Sequence, residues 1–275
     1  MIYDAHEDLP RQIMSKHWIS PLIRRPVAGL AAVVENFSVR CFDAVVAATP
    51  PIAARFPPDK SVTVQNFPLL SQFLSVAAEP YATRPPHIAY IGGIAPIRGS
   101  VEMLTAFELL SSRHANARLE LAGPFAPSRH QDELRQLSGW QSVSYHGVID
   151  RNGIAGLLGS TRAGLVVLHP TLNYLDALPV KMFEYMAAGL PVIASNFPLW
   201  RDIVEKAQCG LTVDPLQPAA IADAMAWILE HPVEAEAMGR RGREAVQKRY
   251  NWNPEAEKLR VLYEDRLTQN AGKSE

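Results

Sequence analysis

The sequence predicts an α/β protein built on a doubly wound, Rossmann-like parallel sheet, preceded by an incomplete N-terminal α/β domain. Three observations lead there. From His87 onward, short runs rich in β-branched residues, most of them ended by Gly, Pro or Asp, alternate with amphipathic stretches of helical period. Strands alternating with helices imply right-handed crossovers, and hence a parallel sheet covered on both faces. Upstream of His87 only three strand-like runs occur, too few for an independent α/β sheet. Finally, a chain of 275 residues, 48% hydrophobic and 20% charged, can bury one large core or two ordinary ones.

Taken in order, "IYDAH", "DAVVAAT" and "SVTVQN" read as the early strands. Between the first two, "VAGLAAVV" from Val27 continues through Glu35 and Arg40 at helical spacing and reads as a core helix. Its alternative, an amphipathic face resting on a membrane, draws on the preceding Arg24 and Arg25. "LLSQFLSVAAEPYATRPPH" has paired prolines and no period, so it reads as a linker. After it "HIAYIGG", "RLELAG", "VSYHG", "AGLVVLHP", "LPVIAS" and "GLTVD" read as strands. The intervening "SVEMLTAFELLSSRH", "SRHQDELRQLS", "RNGIAGLLGS", "VKMFEYMAAG", "FPLWRDIVEKA" and "PAAIADAMAWILEH" read as helices. "NPEAEKLRVLYEDRL" sets Ala256, Leu259, Leu262 and Tyr263 at helical spacing and must cover apolar surface. The expected division is an incomplete domain over 1–70, a linker over 71–86, the doubly wound domain over 87–248, and a last helix over 249–268 that packs back towards the N-terminal part.

Composition narrows the function. Lys plus Arg total 27 against 28 Asp plus Glu, so no net field draws the chain to nucleic acid. No apolar run approaches the ~20 residues that cross a bilayer, and Asp4, Glu7 and Asp8 do not make a secretory signal. Cys41 and Cys209, far apart in sequence, read as small apolar fillers in a reducing cytoplasm. No dense His, Asp or Cys cluster suggests a metal. No G-x-G-x-x-G opens a strand–helix unit, which argues against a dinucleotide oxidoreductase.

The stretch "LDALPVKMFEYMAAGLPVIAS" sets three charges around a short apolar helix. Pro179 suits the first helical position and Gly189 the position just past the last. Phe183, Met186 and Ala187 then face the core, and Lys181 and Glu184 share another face. Asp176 lies before the helix, where free N–H groups and the positive end of the helix dipole attract an anion. In an open parallel sheet such a helix starts where ligands bind, beyond the strand ends, and a carboxylate further along can accept two ribose hydroxyls. Spacing alone leaves a plainer reading open: Asp176 as a helix cap, and Lys181 with Glu184 as a surface pair of little energetic value.

These residues resemble the retaining GT-B glycosyltransferases of the family-4 type. In that family the C-terminal domain carries two acidic residues separated by seven others, followed by an "EYMA-G-PVIAS" run. Asp176 and Glu184 have that separation, and "FEYMAAGLPVIAS" follows the run almost letter for letter. The resemblance implies that Glu184 binds the ribose of a sugar nucleotide and that Asp176, with Leu178, Pro179 and Val180 after it, faces the donor. Aspartate replaces the usual glutamate there. In "YIGGIAPIRGS" Arg98 takes the place of a phosphate-binding lysine, and Gly93 replaces an arginine beside Gly92. Arg98 can grip phosphate in bidentate fashion, and Lys181 is the candidate to replace the missing cation. "YDAHED" places His6 where the family has a histidine reaching towards the donor sugar, and "SYHGVIDR" places Gly147 where the base is contacted.

The implied activity is transfer of a hexose from a UDP or GDP sugar, a substrate rather than a cofactor, to an acceptor hydroxyl, lipid-linked or polysaccharide, with retained configuration. His6 and Asp176 would orient the sugar while Arg98, Lys181 and the helix start stabilise the departing diphosphate. The expected location is cytoplasmic, with peripheral contact at the inner membrane face and self-association through the incomplete domain as the further contacts this reading allows. Two rival readings are a non-catalytic nucleotide-binding module and a sugar-nucleotide epimerase.

Overall fold

The computed structural model describes residues 1–16, 19–74 and 79–271. The chain divides into two compact units, one of Met1–Phe67, Thr171–Leu178 and Trp252–Glu275, the other of Pro68–Pro170 and Pro179–Asn251.

The first unit is built on β1 (Ile2–Ala5), β2 (Ala44–Ala47) and β3 (Ser61–Thr63), which pair in parallel in that order. Period-2 alternation sends Val45 and Ala47 to one face with Val39, Ile52 and Phe56, and Ala44 and Val46 to the other with Val64 and Leu262. The central strand is thus buried on both sides, as its unbroken apolar run requires. The helix Trp252–Ala271 contributes Trp252, Leu259 and Leu262 to the second face, and its buried Glu255 accepts from the Gln65 amide at 2.9 Å. Tyr263, expected on the covering face, is 49% exposed.

The Pro21–Val39 helix corrects a second expectation. It does not bury the apolar run from Val27. Small Ala28, with Glu35 and Val39, faces inward, whereas Leu22, Ile23, Leu30, Val33, Val34 and Phe37 are all more than half exposed. The reason is a pairing with distant parts of the chain: Glu35 is held inside by Tyr3 (2.8 Å) and Arg55, which turns the more apolar face outward. Cys41 is exposed rather than a core filler, while Cys209 is buried.

In the second unit the six runs read as strands from His87 onward are six parallel strands: β4 (His87–Ile91), β5 (Arg118–Ala122), β6 (Val143–Gly147), β7 (Ala163–Val166), β8 (Val192–Ser195) and β9 (Gly210–Val213). Their spatial order is β6-β5-β4-β7-β8-β9. The direction of progression reverses between β4 and β7, so the loops after those two strands diverge and leave a crevice at the carboxyl end of the sheet. Ile88, Tyr90, Leu119, Leu121, Leu165 and Ile193 are wholly buried against helices that include Ser100–Ser111 and Pro218–Glu230.

Two segments of this unit differ from the sequence reading. Within 71–86 lie a short helix, Ser71–Leu74, and a 3-10 turn, Tyr81–Thr83, with Phe73 and Tyr81 buried and the Tyr81 hydroxyl donating to the Arg162 carbonyl at 2.8 Å; residues 75–78 of the expected linker lie outside the described residues. A helix over Pro232–Lys248, to which no element was assigned, packs through Ala235, Gly239, Gly242 and Val246.

Candidate functional site

The crevice at the β4/β7 divergence is shaped by glycines. Gly92, directly after β4, has φ 113°, and its N–H donates to the Ala122 carbonyl at 2.9 Å. Gly99 follows the short turn Pro96–Arg98 at φ 76°, and a Cβ there would lie 2.0 Å from the Val167 carbonyl oxygen. Only glycine lets the two loops approach so closely. The His169 amide, donating to the Ile97 carbonyl at 3.0 Å, adds a hydrogen bond between them.

The eight-residue helix Val180–Ala187 returns from the β7 side of this crevice, with Pro179 as its N-cap. Tyr185 anchors it. Its ring is wholly buried against Gly164 of β7, and its hydroxyl accepts from the Ile91 amide at the end of β4 at 2.9 Å. Burial, above all, holds its phenol well above the ordinary tyrosine range. This one side chain therefore fixes the helix against both strands of the divergence.

On that helix Lys181 and Glu184 do not form the surface pair that spacing alone allows. Glu184 is 6% exposed and takes its cation from Arg151, whose Nη1 lies 2.6 Å from Oε1. The stem of Lys181 is partly exposed, but its ammonium nitrogen is buried with no hydrogen-bond partner among the described residues. It sits 3.8 Å from the centroid of the Tyr90 ring, a cation–π contact that softens burial without neutralising charge. Burial first, then the neighbouring Arg98, depresses the Lys181 pKa well below the lysine range, while Glu184 pulls it upward.

Arg98 is half-buried and folded over Gly93, where a Cβ would lie 3.0 Å from its Nη1; a Cβ on Gly92 would lie 3.2 Å from Lys181 Nζ. The two glycines thus make room for two cations. Among the described residues neither cation forms an ion pair with a carboxylate. Two positive side chains beside a helix start have the chemistry to hold an anion of more than one charge.

The remaining predicted residues fall elsewhere. Gly147, at the end of β6, has φ 68° with open space around its α-carbon, and its carbonyl accepts from Gly123 at 2.7 Å. Asp176 and Leu178 belong to Thr171–Leu178, which groups with the first unit rather than with 87–248. There Asp176 pairs with Arg11 and does not cap the Val180–Ala187 helix. His6, also in the first unit, is bonded to Asp4 at 3.0 Å and to Asn66 at 3.4 Å. Sequence reasoning missed Arg151. Its signal was faint: a basic residue directly after the helix cap Asp150, whose carboxylate accepts from the Gly153 amide at 2.8 Å. Among the described residues no three His, Cys, Asp or Glu side chains converge in a way that could hold a metal ion.

The family described as "Glycosyl transferases group 1" matches residues 71–245. Among curated proteins the chain is 27% identical over 186 residues to the D-inositol 3-phosphate glycosyltransferase of Corynebacterium glutamicum (strain R), covering 66% of this chain and 43% of that protein. It is 29% identical over 136 residues to the phosphatidyl-myo-inositol mannosyltransferase of Mycobacterium leprae (strain TN), covering 49% and 35%. The chain therefore spans less than half the length of either relative. Among solved structures it is similar to sucrose-phosphate synthase from Thermosynechococcus elongatus, with TM-score 0.76, 23% identity, and coverage of 98% of this chain and 68% of that one. An Anabaena protein, HepE, solved in complex with UDP, gives TM-score 0.74 at 14% identity over 96% of this chain and 72% of its own. At these identities the structures show a shared fold.

Proposed function

The chain belongs to the group 1 glycosyl transferases, and from that premise we propose that it carries the donor half of a retaining, family-4-type enzyme, transferring a hexose from a UDP or GDP sugar to an acceptor hydroxyl. The observation that carries this reading is the buried, unpartnered Lys181 ammonium beside Arg98, at the crevice where β4 and β7 part. A cation buried at such cost is stabilised when an anion arrives. A diphosphate supplies that anion, with the Val180–Ala187 helix start and the Pro179–Val180 backbone completing its surroundings. Glu184 accepts the ribose hydroxyls, and the open surface at Gly147 receives the base. As the glycosidic bond breaks, charge grows on the diphosphate, and fixed cations meet it without reorganisation. His6 and Asp176, by resemblance, orient the sugar.

Titration calorimetry with UDP, GDP and their glycosides tests the site. Arg98→Ala is expected to weaken nucleoside diphosphate binding by about tenfold to a hundredfold, the scale of charge-assisted hydrogen bonds to phosphate, with little change for the uncharged nucleoside. Equal losses for nucleoside and diphosphate would remove Arg98 from the phosphate site.

A binding module without turnover is the second reading, since among the described residues the first unit carries a sheet of three strands. Sugar release or transfer, assayed with inositol-type, lipid-linked and polysaccharide acceptors, separates the two. The names of two relatives, an inositol phosphate glycosyltransferase and a phosphatidylinositol mannosyltransferase, favour a polyol or lipid-borne acceptor.

We assign peripheral membrane contact to the outward face of Pro21–Val39. No helix among the described residues is long and apolar enough to cross a bilayer. This one carries Arg25 beside its apolar stripe, and its glutamate is turned inward. A groove of about 500 Å³ lined by Tyr3, Leu9, Val27, Leu30, Val34 and Phe42 runs beside it, and none of the candidate donor-site residues lines that groove. Co-sedimentation with vesicles containing about a third anionic lipid is expected, weakened several-fold by Leu30→Glu. Concentration-dependent dimerisation in place of vesicle binding would assign the face to a second copy.

A further inference from the structure

Glu184 stands between two cations that compete for it. Lys181 is three residues back on the same helix, within reach of a turn-to-turn ion pair, and the charge of Glu184 is felt at the Lys181 ammonium. Yet the hydrogen bond goes to Arg151, from a different element, at 2.6 Å. Arg151 occupies the first position of the Arg151–Gly159 helix, whose start is held by the Asp150 cap. Its side chain is 60% exposed, whereas that of Glu184 is 8% exposed. An exposed cation on a capped helix start thus reaches in to satisfy a buried carboxylate. Only one guanidinium nitrogen is used, on one oxygen, so the carboxylate keeps acceptor sites open.

From this we infer that Arg151 is a positioning residue of the donor site: it holds the Glu184 carboxylate towards the pentose and away from Lys181, leaving the Lys181 ammonium to the diphosphate. The inference rests on the donor-site reading above and deepens it. Two opposite charges on adjacent turns of one buried helix would otherwise quench each other. Both ligand contacts would be lost together. Arg151 instead divides the labour, so that the acid selects hydroxyls and the lysine selects phosphate.

The arrangement has a consequence that a merely structural ion pair lacks. Selection for ribose hydroxyls should depend on Arg151, although Arg151 itself need not touch them. The test is calorimetric binding of UDP, GDP and their 2′,3′-dideoxy counterparts to the full chain, as wild type, Arg151→Lys and Arg151→Ala. Wild type is expected to prefer the ribonucleotide by at least about tenfold, the scale of hydrogen bonds to a carboxylate. In Arg151→Ala that preference should fall below about threefold, with dideoxy-nucleotide affinity reduced far less than ribonucleotide affinity. Arg151→Lys, which keeps a cation at the same mount, should restore part of the preference. A preference preserved in Arg151→Ala overturns the inference while leaving the donor site standing. Failure of wild type to bind any of the four nucleotides overturns the donor-site reading and this inference with it. Arg151→Ala leaves a buried carboxylate without its cation and should lower the urea midpoint. Circular dichroism therefore first shows that the variant is folded, and the ribo-to-dideoxy ratio, taken within each protein, is the readout that a loss of stability alone does not move.

Discussion

Replacing Lys181 by methionine is expected to make the larger unit more resistant to urea and, at the same time, to weaken its affinity for nucleoside diphosphates. The Lys181 ammonium is buried without a hydrogen-bond partner among the described residues and lies near the Arg98 guanidinium. Burying an uncompensated charge costs free energy that an isosteric apolar side chain does not incur, commonly about 1–4 kcal/mol in such exchanges. Methionine also keeps a favourable contact with the Tyr90 ring, now through sulfur. For the ligand the balance reverses: the variant loses one of two cations facing the diphosphate, and a loss of about a hundredfold in affinity is expected. Urea titration and calorimetry on the same preparation read both quantities. A methionine variant that is less stable than wild type would show that the ammonium has a partner after all.

The stability gain should depend on pH in a defined direction. The folded-state pKa of Lys181 is depressed well below its ordinary value of 10.5. Between that depressed value and 10.5 the unfolded chain therefore binds the extra proton, and wild-type stability rises with pH across this window. Below the folded pKa the whole penalty is present, so the methionine variant should hold its largest advantage there. Above 10.5 the advantage should vanish, since the lysine is neutral in both states. A gap between the two proteins that stays constant with pH would mean that the substitution acts through packing alone.

Much of this site is legible in the sequence, because the helix that carries it also carries a strong local pattern. Pro179 and Gly189 bracket Val180–Ala187, and the apolar Phe183, Met186 and Ala187 set its inner face. The six later strands are equally legible, since buried parallel strands are nearly continuous apolar runs. What escaped has identifiable causes. The Pro232–Lys248 helix buries Ala235, Gly239, Gly242 and Val246, a helical stripe written largely in residues too small to register as hydrophobic. Close approach requires that smallness: a Cβ on Gly239 would lie 2.0 Å from the Gly189 carbonyl oxygen. The outward apolar face of Pro21–Val39 was unreadable for the opposite reason. Periodicity reveals that a stripe exists, but which way it faces is decided by the ion pair of Glu35 with Arg55, a contact twenty positions away in sequence. Arg151 escaped for a related reason, because its partner Glu184 lies 33 positions on.

Gly164→Ala is expected to be strongly damaging to the larger unit and to act through one identifiable contact. A Cβ at this position would lie 2.2 Å from Cγ and Cδ2 of Tyr185, an overlap that something must relieve. The strand cannot retreat, because Gly164 is paired with Ala89 of β4 on one side and Val192 of β8 on the other. The ring cannot swing aside freely either, because it is wholly buried and its hydroxyl accepts from the Ile91 amide. Relief therefore comes from moving the Val180–Ala187 helix, at a cost of about 3 kcal/mol or more. That movement displaces Lys181 and Glu184 together, so nucleotide affinity should fall along with stability. Tyr185→Ala alone should also destabilise, by opening a cavity and orphaning the Ile91 amide. The double variant should be more stable than the sum of the two single losses predicts, because the clash needs both side chains. Additive losses in urea titration would place the strain somewhere other than the Gly164–Tyr185 contact, and would free the position of the helix from that one ring.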